Sequence, residues 1–127
     1  MNEFFIKPSV VKKGWGSEIV ISNSEKYCGK VLCFDKDTKF SMHFHMEKDE
    51  TWYVSEGSFL LRYIDTENAD NNEIIIRKGD AIHISPGQPH QLEVLDDSGG
   101  VIFEVSTKHV DSDSYRIFKG DSQKDKI

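Results

Sequence analysis

The stretch SMHFHMEKDETWYVSEG, residues 41–57, places two histidines one residue apart in an alternating pattern of polar and apolar residues. Because side chains alternate between the two faces of a β-strand, His43 and His45 share one face. Glu50 and Trp52 resume the two-residue period after a short turn, so a hairpin would bring the Glu50 carboxylate beside both imidazoles. The stretch therefore predicts that paired strands hold a cluster of metal-ligating side chains.

Short β-type runs recur along the rest of the chain and are rich in Ile, Val, Phe and Tyr. Turn signals such as DKDTK, SEGS and SPGQP separate them. No segment has a 3.6-residue apolar period over three turns, and about nine or ten short strands are typical of an all-β sandwich or barrel. We expect one domain over residues 1–127, with a barrel core at about 15–107 and a flexible C-terminal tail at 119–127.

Composition excludes several classes of partner. The formal net charge is −6, with 22 acidic against 16 basic residues and no basic cluster, so we expect neither nucleic acid nor a membrane surface as a partner. The first residues contain no apolar run of signal-peptide length. Cys28 and Cys33 lie at an odd spacing within one strand-like run, which points them to opposite faces and argues against a disulfide. We therefore expect a cytoplasmic protein with free thiols.

A third histidine extends the candidate metal site. His90 opens the run HQLEVL directly after SPGQP, whose glycine and prolines fix the direction in which the chain enters the strand. Together with His43, His45 and Glu50 it forms a donor set suited to one divalent first-row ion, such as Mn, Fe, Co, Ni or Zn. A metal-free acid–base site built from the same residues is the alternative.

Two motifs in this region resemble those of the cupin superfamily. The first reads H-x-H-x4-E-x6-G and comprises His43, His45, Glu50 and Gly57. The second lies in GDAIHISPGQPH and comprises Gly79, Pro86, Gly87 and His90. The resemblance covers roughly residues 30–105 and implies a jelly-roll β-barrel in which the three histidines and the glutamate bind one divalent metal.

A narrower similarity concerns the flanks of this region. The segments KGWGSEIVI (13–21) and EVSTKHVDSDSYRI (104–117) are similar to segments that flank the cupin domain of mannose-6-phosphate isomerase-like proteins. This likeness implies a sugar-handling cupin. Met46 stands where those enzymes have an arginine, and Lys48 and Asp49 are additional residues before the glutamate.

The leading functional prediction is a metal-dependent enzyme that shifts a proton on a small carbohydrate or sugar phosphate, as an aldose–ketose isomerase does. Glu50 and Tyr63 are the candidate catalytic residues, with Glu104 as a further candidate base. A non-haem Fe(II) oxygenase and a non-catalytic sugar-binding or sensing module are the alternatives.

Other polar and aromatic residues receive specific expectations. The candidate substrate contacts are Trp52, Lys30, Gln88 and Phe103. His83 alternates with two isoleucines and is expected to point outward, and His109 lies in a polar turn and is expected to be solvated. Trp15 is expected to cap one barrel end or to lie in an interface. Together with Phe4, Phe5 and Ile6 it suggests a homodimer.

Overall fold

The computed structural model describes residues 3–123, which form eleven β-strands and two short 3₁₀ helices. The strands are β1 (Ser9–Lys13), β2 (Gly16–Asn23), β3 (Cys28–Phe34), β4 (Met42–Phe44), β5 (Glu50–Glu56), β6 (Ser58–Ile64), β7 (Asn71–Arg77), β8 (Ala81–Ile84), β9 (His90–Val94), β10 (Gly100–Ser106) and β11 (Tyr115–Phe118). The 3₁₀ helices cover Asp111–Asp113 and Asp121–Gln123.

The strands form two antiparallel sheets that face each other across one core. One sheet has six strands in the order β1-β2-β3-β10-β5-β8, and the other has five in the order β11-β4-β9-β6-β7. Neighbours in the sheets are often distant in the sequence, as when β10 inserts between β3 and β5. This arrangement confirms the predicted all-β jelly-roll barrel.

The two-residue period of the sequence fills the barrel. On β3, Leu32 and Phe34 are buried, while Val31 and Cys33, which alternate with them, are partly exposed. Aromatic rings make up much of the core, where Phe34 meets Phe59 with 5.1 Å between ring centroids. Burial of these apolar side chains is the main source of stability that the fold offers.

Trp15 packs into this core. Its side chain is 4% exposed and stacks on Phe34 with 4.4 Å between ring centroids. The ring therefore fills the barrel and is not available to an intermolecular contact, which corrects the interface role that the sequence suggested for Trp15.

The C-terminal segment packs against the barrel as far as the structure describes it. The Asp121 carboxylate accepts the Lys39 N–H at 2.8 Å, and the Ser122 hydroxyl accepts the Gly14 N–H at 3.0 Å. A Cβ at the buried Gly120 would clash with the backbone of Phe40, so only glycine permits this close approach. Part of the segment expected to be a flexible tail at 119–127 thus contacts the barrel, residues 124–127 lie outside the described part, and the flexibility of the tail stays a prediction.

Two further expectations concern the whole chain. Cys28 and Cys33 are both free, as their odd spacing predicts. Within residues 3–123, no helix has the length and apolar character needed to cross a membrane.

Candidate metal centre

Three histidines meet inside the barrel. β4 carries His43, His45 follows it by two residues, and β9 begins with His90, which pairs with His43 across the two strands. One ring nitrogen of each lies within 4.8 Å of the corresponding nitrogens of the other two. The structure thus brings together the three histidines that the sequence selected.

Backbone carbonyls fix the orientation of all three rings. Each ring places Nδ1 within hydrogen-bonding distance of a carbonyl oxygen. The pairs are His43 with Ser41 O (2.7 Å), His45 with Asp113 O (2.7 Å) and His90 with Gln88 O (2.8 Å). Because a carbonyl oxygen can only accept, each Nδ1 carries the proton and each Nε2 keeps a free lone pair, which is the tautomer that a metal-ligating histidine requires.

Burial also keeps the three rings uncharged. Desolvation lowers the pKa of His45 and of His90 to about 4. The pKa of His43 is lowered well below its ordinary value, first by burial and then by the other two histidines. Neutral imidazole is the form that binds a metal ion, so all three rings are ready to do so near pH 7.

Glu50 supplies an adjacent donor. Its side chain is buried, and Oε1 accepts the Trp52 indole N–H at 2.7 Å. The other oxygen, Oε2, lies 3.6 Å from His45 Nε2 and has no hydrogen-bond partner among the described residues. A buried carboxylate oxygen that accepts no hydrogen bond is costly unless a cation lies close to it. Lys48 Nζ lies 3.8 Å from Oε2, and a divalent ion held by the histidines would fit the same arrangement. Glu50 is outside the group whose ligand atoms all lie within 4.8 Å, so the three histidines form the centre and Glu50 flanks it.

The imidazoles and Glu50 line a cavity of about 250 Å³. The cavity wall carries four cationic and four acidic side chains besides the histidines. They are Lys13, Lys30, Lys48, Arg116, Glu18, Glu50, Glu104 and Asp111. Such a wall suits a polar ligand, and it is unlike the apolar core on the other side of the histidines.

A buried ion pair adjoins the histidines. Lys48 and Glu104 are 4% and 5% exposed, and Lys48 Nζ lies 3.3 Å from Glu104 Oε2 and 3.8 Å from Glu50 Oε2. Burial opposes the charge on Lys48, but the two carboxylates outweigh it and raise the lysine pKa. Burial, followed by the charge of Glu50, raises the pKa of Glu104, which Lys48 partly offsets.

Sequence reasoning missed Lys48, although one signal was available. Lys48 has the same parity as Glu50 and Trp52, so the two-residue period that placed those two residues inside the barrel also applies to it.

The predicted substrate contacts divide into two groups. Trp52 and Lys30 line the cavity, where Trp52 is 1% exposed and Lys30 Nζ lies 3.3 Å from Glu18 Oε1. Gln88 does not line it, because its amide donates to the backbone oxygens of Ile64 and Pro89.

Phe103 and Tyr63 also lie outside the cavity wall. Phe103 is 41% exposed on the outer face of β10, because its neighbours Ile102 and Glu104 point inward. Tyr63 stands opposite His90 in the β6–β9 pairing, but it packs against the apolar core. The structure thus places neither residue in the cavity wall, and the substrate contact of Phe103 and the catalytic role of Tyr63 stay predictions.

The two remaining histidines behave differently from each other. His83 is exposed and its Nε2 lies 2.6 Å from Asp49 Oδ1, in agreement with its expected outward position. His109 was expected to be solvated, but its side chain is 19% exposed and lines the cavity. Its Nδ1 lies 3.4 Å from Lys48 Nζ, because the segment after β10 folds back over the cavity.

Asp113 ties that returning segment to the metal centre. Its carbonyl oxygen accepts from His45, as described above, and its carboxylate accepts the backbone N–H groups of Met46 (2.8 Å), Glu47 (3.1 Å) and Lys48 (3.1 Å). One residue therefore holds both a candidate metal ligand and the loop that carries the buried lysine. Sequence reasoning missed this role, since no local pattern links residues 113 and 46.

The cupin domain family matches residues 30–106. This chain belongs to the cupin family. The match covers both motifs and most of the strands, and the cupin resemblance stated for the sequence is thereby confirmed. The narrower likeness to mannose-6-phosphate isomerase-like proteins stays a prediction.

Two curated relatives carry the same name. A 3-hydroxyanthranilate 3,4-dioxygenase of Bos taurus is 28% identical over 80 residues, which are 62% of this chain and 27% of that protein. A protein of the same name from Podospora anserina is 33% identical over 63 residues, which are 48% of this chain and 34% of that protein. The chain thus spans about a third or less of the length of these two relatives.

Solved structures of other proteins share the fold. The capsular polysaccharide assembling protein CapF of Staphylococcus aureus superposes with a TM-score of 0.79 at 19% identity, over 91% of this chain and 34% of that one. Oxalate decarboxylase of Bacillus subtilis superposes with a TM-score of 0.76 at 16% identity, over 87% of this chain and 30% of that one. At these identities the likeness shows the fold alone.

Proposed function

We propose that this cupin is a divalent-metal enzyme that transfers a proton on a small carbohydrate or sugar phosphate. The observation that carries the proposal is the buried Lys48–Glu104 pair in the same cavity as three neutral imidazoles. A cation site and an acid–base group side by side are what such a reaction requires.

The donor set defines how the ion would be held. His43, His45 and His90 would bind it through Nε2, and Glu50 would serve as the flanking carboxylate. Imidazole and carboxylate donors suit Mn, Fe, Co, Ni or Zn. When bound, such an ion would polarise a carbonyl oxygen of the substrate as a Lewis acid.

Glu104 is the group best placed to move the proton. Burial raises its pKa above the ordinary value of a carboxyl group, which is the direction that makes a carboxylate a better proton acceptor. The Lys48 ammonium at 3.3 Å holds the carboxylate in position. Glu104, rather than Tyr63, therefore takes the role of general base.

The cavity wall favours a ligand rich in oxygen. Eight charged side chains surround a volume of about 250 Å³, which suits a small polyhydroxylated molecule better than a large apolar one. Lys30 and Trp52 remain the proposed substrate contacts.

The first experiment tests the metal centre. Protein purified without an affinity tag should contain one divalent ion per chain by elemental analysis, and His43→Ala and His90→Ala should lose it. His83→Ala removes an exposed imidazole outside the cavity and should retain the ion. Retention of the ion in either cavity variant would remove that residue from the ligand set.

The second experiment tests proton transfer. Metal-loaded protein incubated in D₂O with aldoses, ketoses and their phosphates should exchange a carbon-bound proton, followed by NMR. Glu104→Gln should abolish exchange and keep the metal, whereas Glu73→Gln, which alters a carboxylate paired with Arg62 outside the cavity, should exchange normally. Saturable sugar binding without any exchange would instead identify a non-catalytic sugar-binding module.

A non-haem Fe(II) oxygenase is the second candidate, because the two curated relatives are named dioxygenases. The same donor set accepts Fe(II). Oxygen uptake in the presence of 3-hydroxyanthranilate that requires Fe(II) would favour this activity. Exchange that proceeds without oxygen would contradict it.

The homodimer and the cytoplasmic location also stay proposals. Phe4, Phe5 and Ile6 are 84%, 75% and 64% exposed, which makes this N-terminal segment the proposed contact. Light scattering during size exclusion should give twice the 14.6 kDa monomer mass. A species at the monomer mass would contradict the dimer.

A further inference from the structure

Arg116 faces the candidate metal centre from the C-terminal strand. β11 pairs with β4 so that Arg116 stands opposite His43 and Tyr115 stands opposite Phe44. Directly opposed residues of an antiparallel pair share a face of the sheet. Tyr115 stacks on Phe44 with 5.2 Å between ring centroids, which marks the other face, and Arg116 lines the cavity.

Two other cations of the cavity wall, Lys30 and Lys48, already have acidic partners. Lys30 pairs with Glu18 at 3.3 Å, and Lys48 pairs with Glu104 at 3.3 Å. The guanidinium group of Arg116, in contrast, makes no ion pair or hydrogen bond within residues 3–123. A guanidinium group presents five donors in a planar fork that matches a carboxylate or a phosphate, and those of Arg116 bind no group of the described residues.

The charge of the whole cavity leads to the same conclusion. Its four cationic side chains balance its four acidic ones, and an imidazole that binds a metal ion does so in its neutral form. A bound divalent ion would therefore leave an excess of two positive charges. An anionic ligand would neutralise that excess, and Arg116, which stands opposite His43, is the group placed to meet it.

We infer that Arg116 forms an anion subsite for a carboxylate or phosphate group of the ligand whose other oxygens face the three histidines. The inference rests on the proposed metal site, and it narrows the substrate class to anions. A neutral sugar would leave the guanidinium without a partner, whereas a sugar phosphate or sugar acid would engage it.

Calorimetry with simple anions tests the subsite. Metal-loaded wild-type protein, freed of excess ion, is titrated with inorganic phosphate in one arm and with acetate in the other. Arg116→Gln should weaken binding of the preferred anion about tenfold or more, since charged hydrogen bonds are lost. Arg116→Lys should recover only part of the affinity, because it keeps the charge but not the fork.

Arg62→Gln is the matched control. Arg62 lies on β6, pairs with Glu73 and Glu93, and does not line the cavity, so its loss should leave the affinity for both anions unchanged. The anion whose affinity falls in Arg116→Gln shows whether the subsite prefers a phosphate or a carboxylate.

The outcomes separate this inference from the proposed function. Equal affinity of wild-type and Arg116→Gln for both anions, or no binding of either by the wild type, would overturn the subsite even with the metal in place. Failure to load any ion would instead overturn the metal centre. In that case, a weaker affinity of metal-free Arg116→Gln than of the metal-free wild type would still support the subsite.

Discussion

The barrel interior has a polar half and an apolar half, and the same strands build both. On β3, β5 and β10 the inward side chains change from charged to apolar within one or two steps of the two-residue period. The pairs are Lys30 and Leu32, Glu50 and Val54, and Glu104 and Ile102, all at most 5% exposed. Charged and apolar side chains are therefore buried to a similar extent in the two halves.

The contrast shows which half stabilises the fold. Burial of Leu32, Val54 and Ile102 contributes hydrophobic free energy without an electrostatic penalty. Burial of Lys48 and Glu104 carries a desolvation cost that their mutual attraction at best roughly offsets. Since apolar side chains would fill the same space at no such cost, the polar half is explained by its chemistry rather than by stability.

Lowering the pH should change the stability of the metal-free protein more than any of the substitutions below. The folded-state pKa values of His45 and His90 are about 4, below the ordinary 6.5, so between these values the unfolded chain binds protons that the native rings do not. Stability is therefore fully present above pH 6.5 and falls as the pH is lowered, by about 3 kcal/mol for each ring at pH 4.

Urea unfolding of the metal-free protein at several pH values between 7 and 4.5 measures this effect. His90→Asn should flatten the dependence relative to wild type, which separates the histidine contribution from that of ordinary carboxylates. Equal pH dependence in the two proteins would contradict the neutral state assigned to His90.

A cavity in the apolar half should have the next largest effect. Ile102→Ala removes a fully buried side chain and should lower the free energy of unfolding by about 4 kcal/mol, whereas Ile102→Val should cost about 1 kcal/mol. Both variants should still bind one ion per chain. Loss of the ion in Ile102→Val would show that the two halves are not separable.

Breaking the buried ion pair should cost slightly less. Lys48→Met leaves Glu104 and Glu50 buried without their cation and should destabilise the protein by about 3 kcal/mol. Adding Glu104→Leu should restore most of that stability while proton transfer remains absent. Urea unfolding of both single variants and the double variant checks this, and a double variant less stable than Lys48→Met would contradict the assigned energetics.

Local alternation predicted the barrel and its three histidines, because a two-residue period fixes which residues share a face. This alternation failed where a run is almost wholly apolar, because such a run does not indicate which of its side chains face the core. In VIFEV every residue but Glu104 is apolar, yet the structure turns Glu104 inward and Phe103 outward. The polar half reverses the usual assignment of charged residues to the surface.

Contacts between residues that are distant in the sequence were the second feature that local alternation could not predict. His109 reaches Lys48 from 61 residues away, and Arg116 becomes a neighbour of His43 only through the pairing of β11 with β4. Neither contact can be predicted from a short-range spacing of residues in the sequence. The returning C-terminal segment also lies beyond residues 30–106, the range that the cupin domain matches.

Asp113 offers the finest test of how that segment supports the polar half. Asp113→Asn replaces one carboxylate acceptor by an NH₂ group that faces the N–H donors of residues 46–48, so the loop loosens and the carbonyl shifts away from His45. Loss of such an outer contact should weaken metal affinity about tenfold, measured by competition with a chelator. Asp65→Asn is the matched control, since Asp65 Oδ1 likewise accepts backbone N–H groups of an exposed turn, at 2.8 Å from Glu67 N. If both variants lose equal stability but only Asp113→Asn loses metal affinity, Asp113 acts by positioning His45. Unchanged metal affinity in Asp113→Asn would mean that Asp113 only holds the loop.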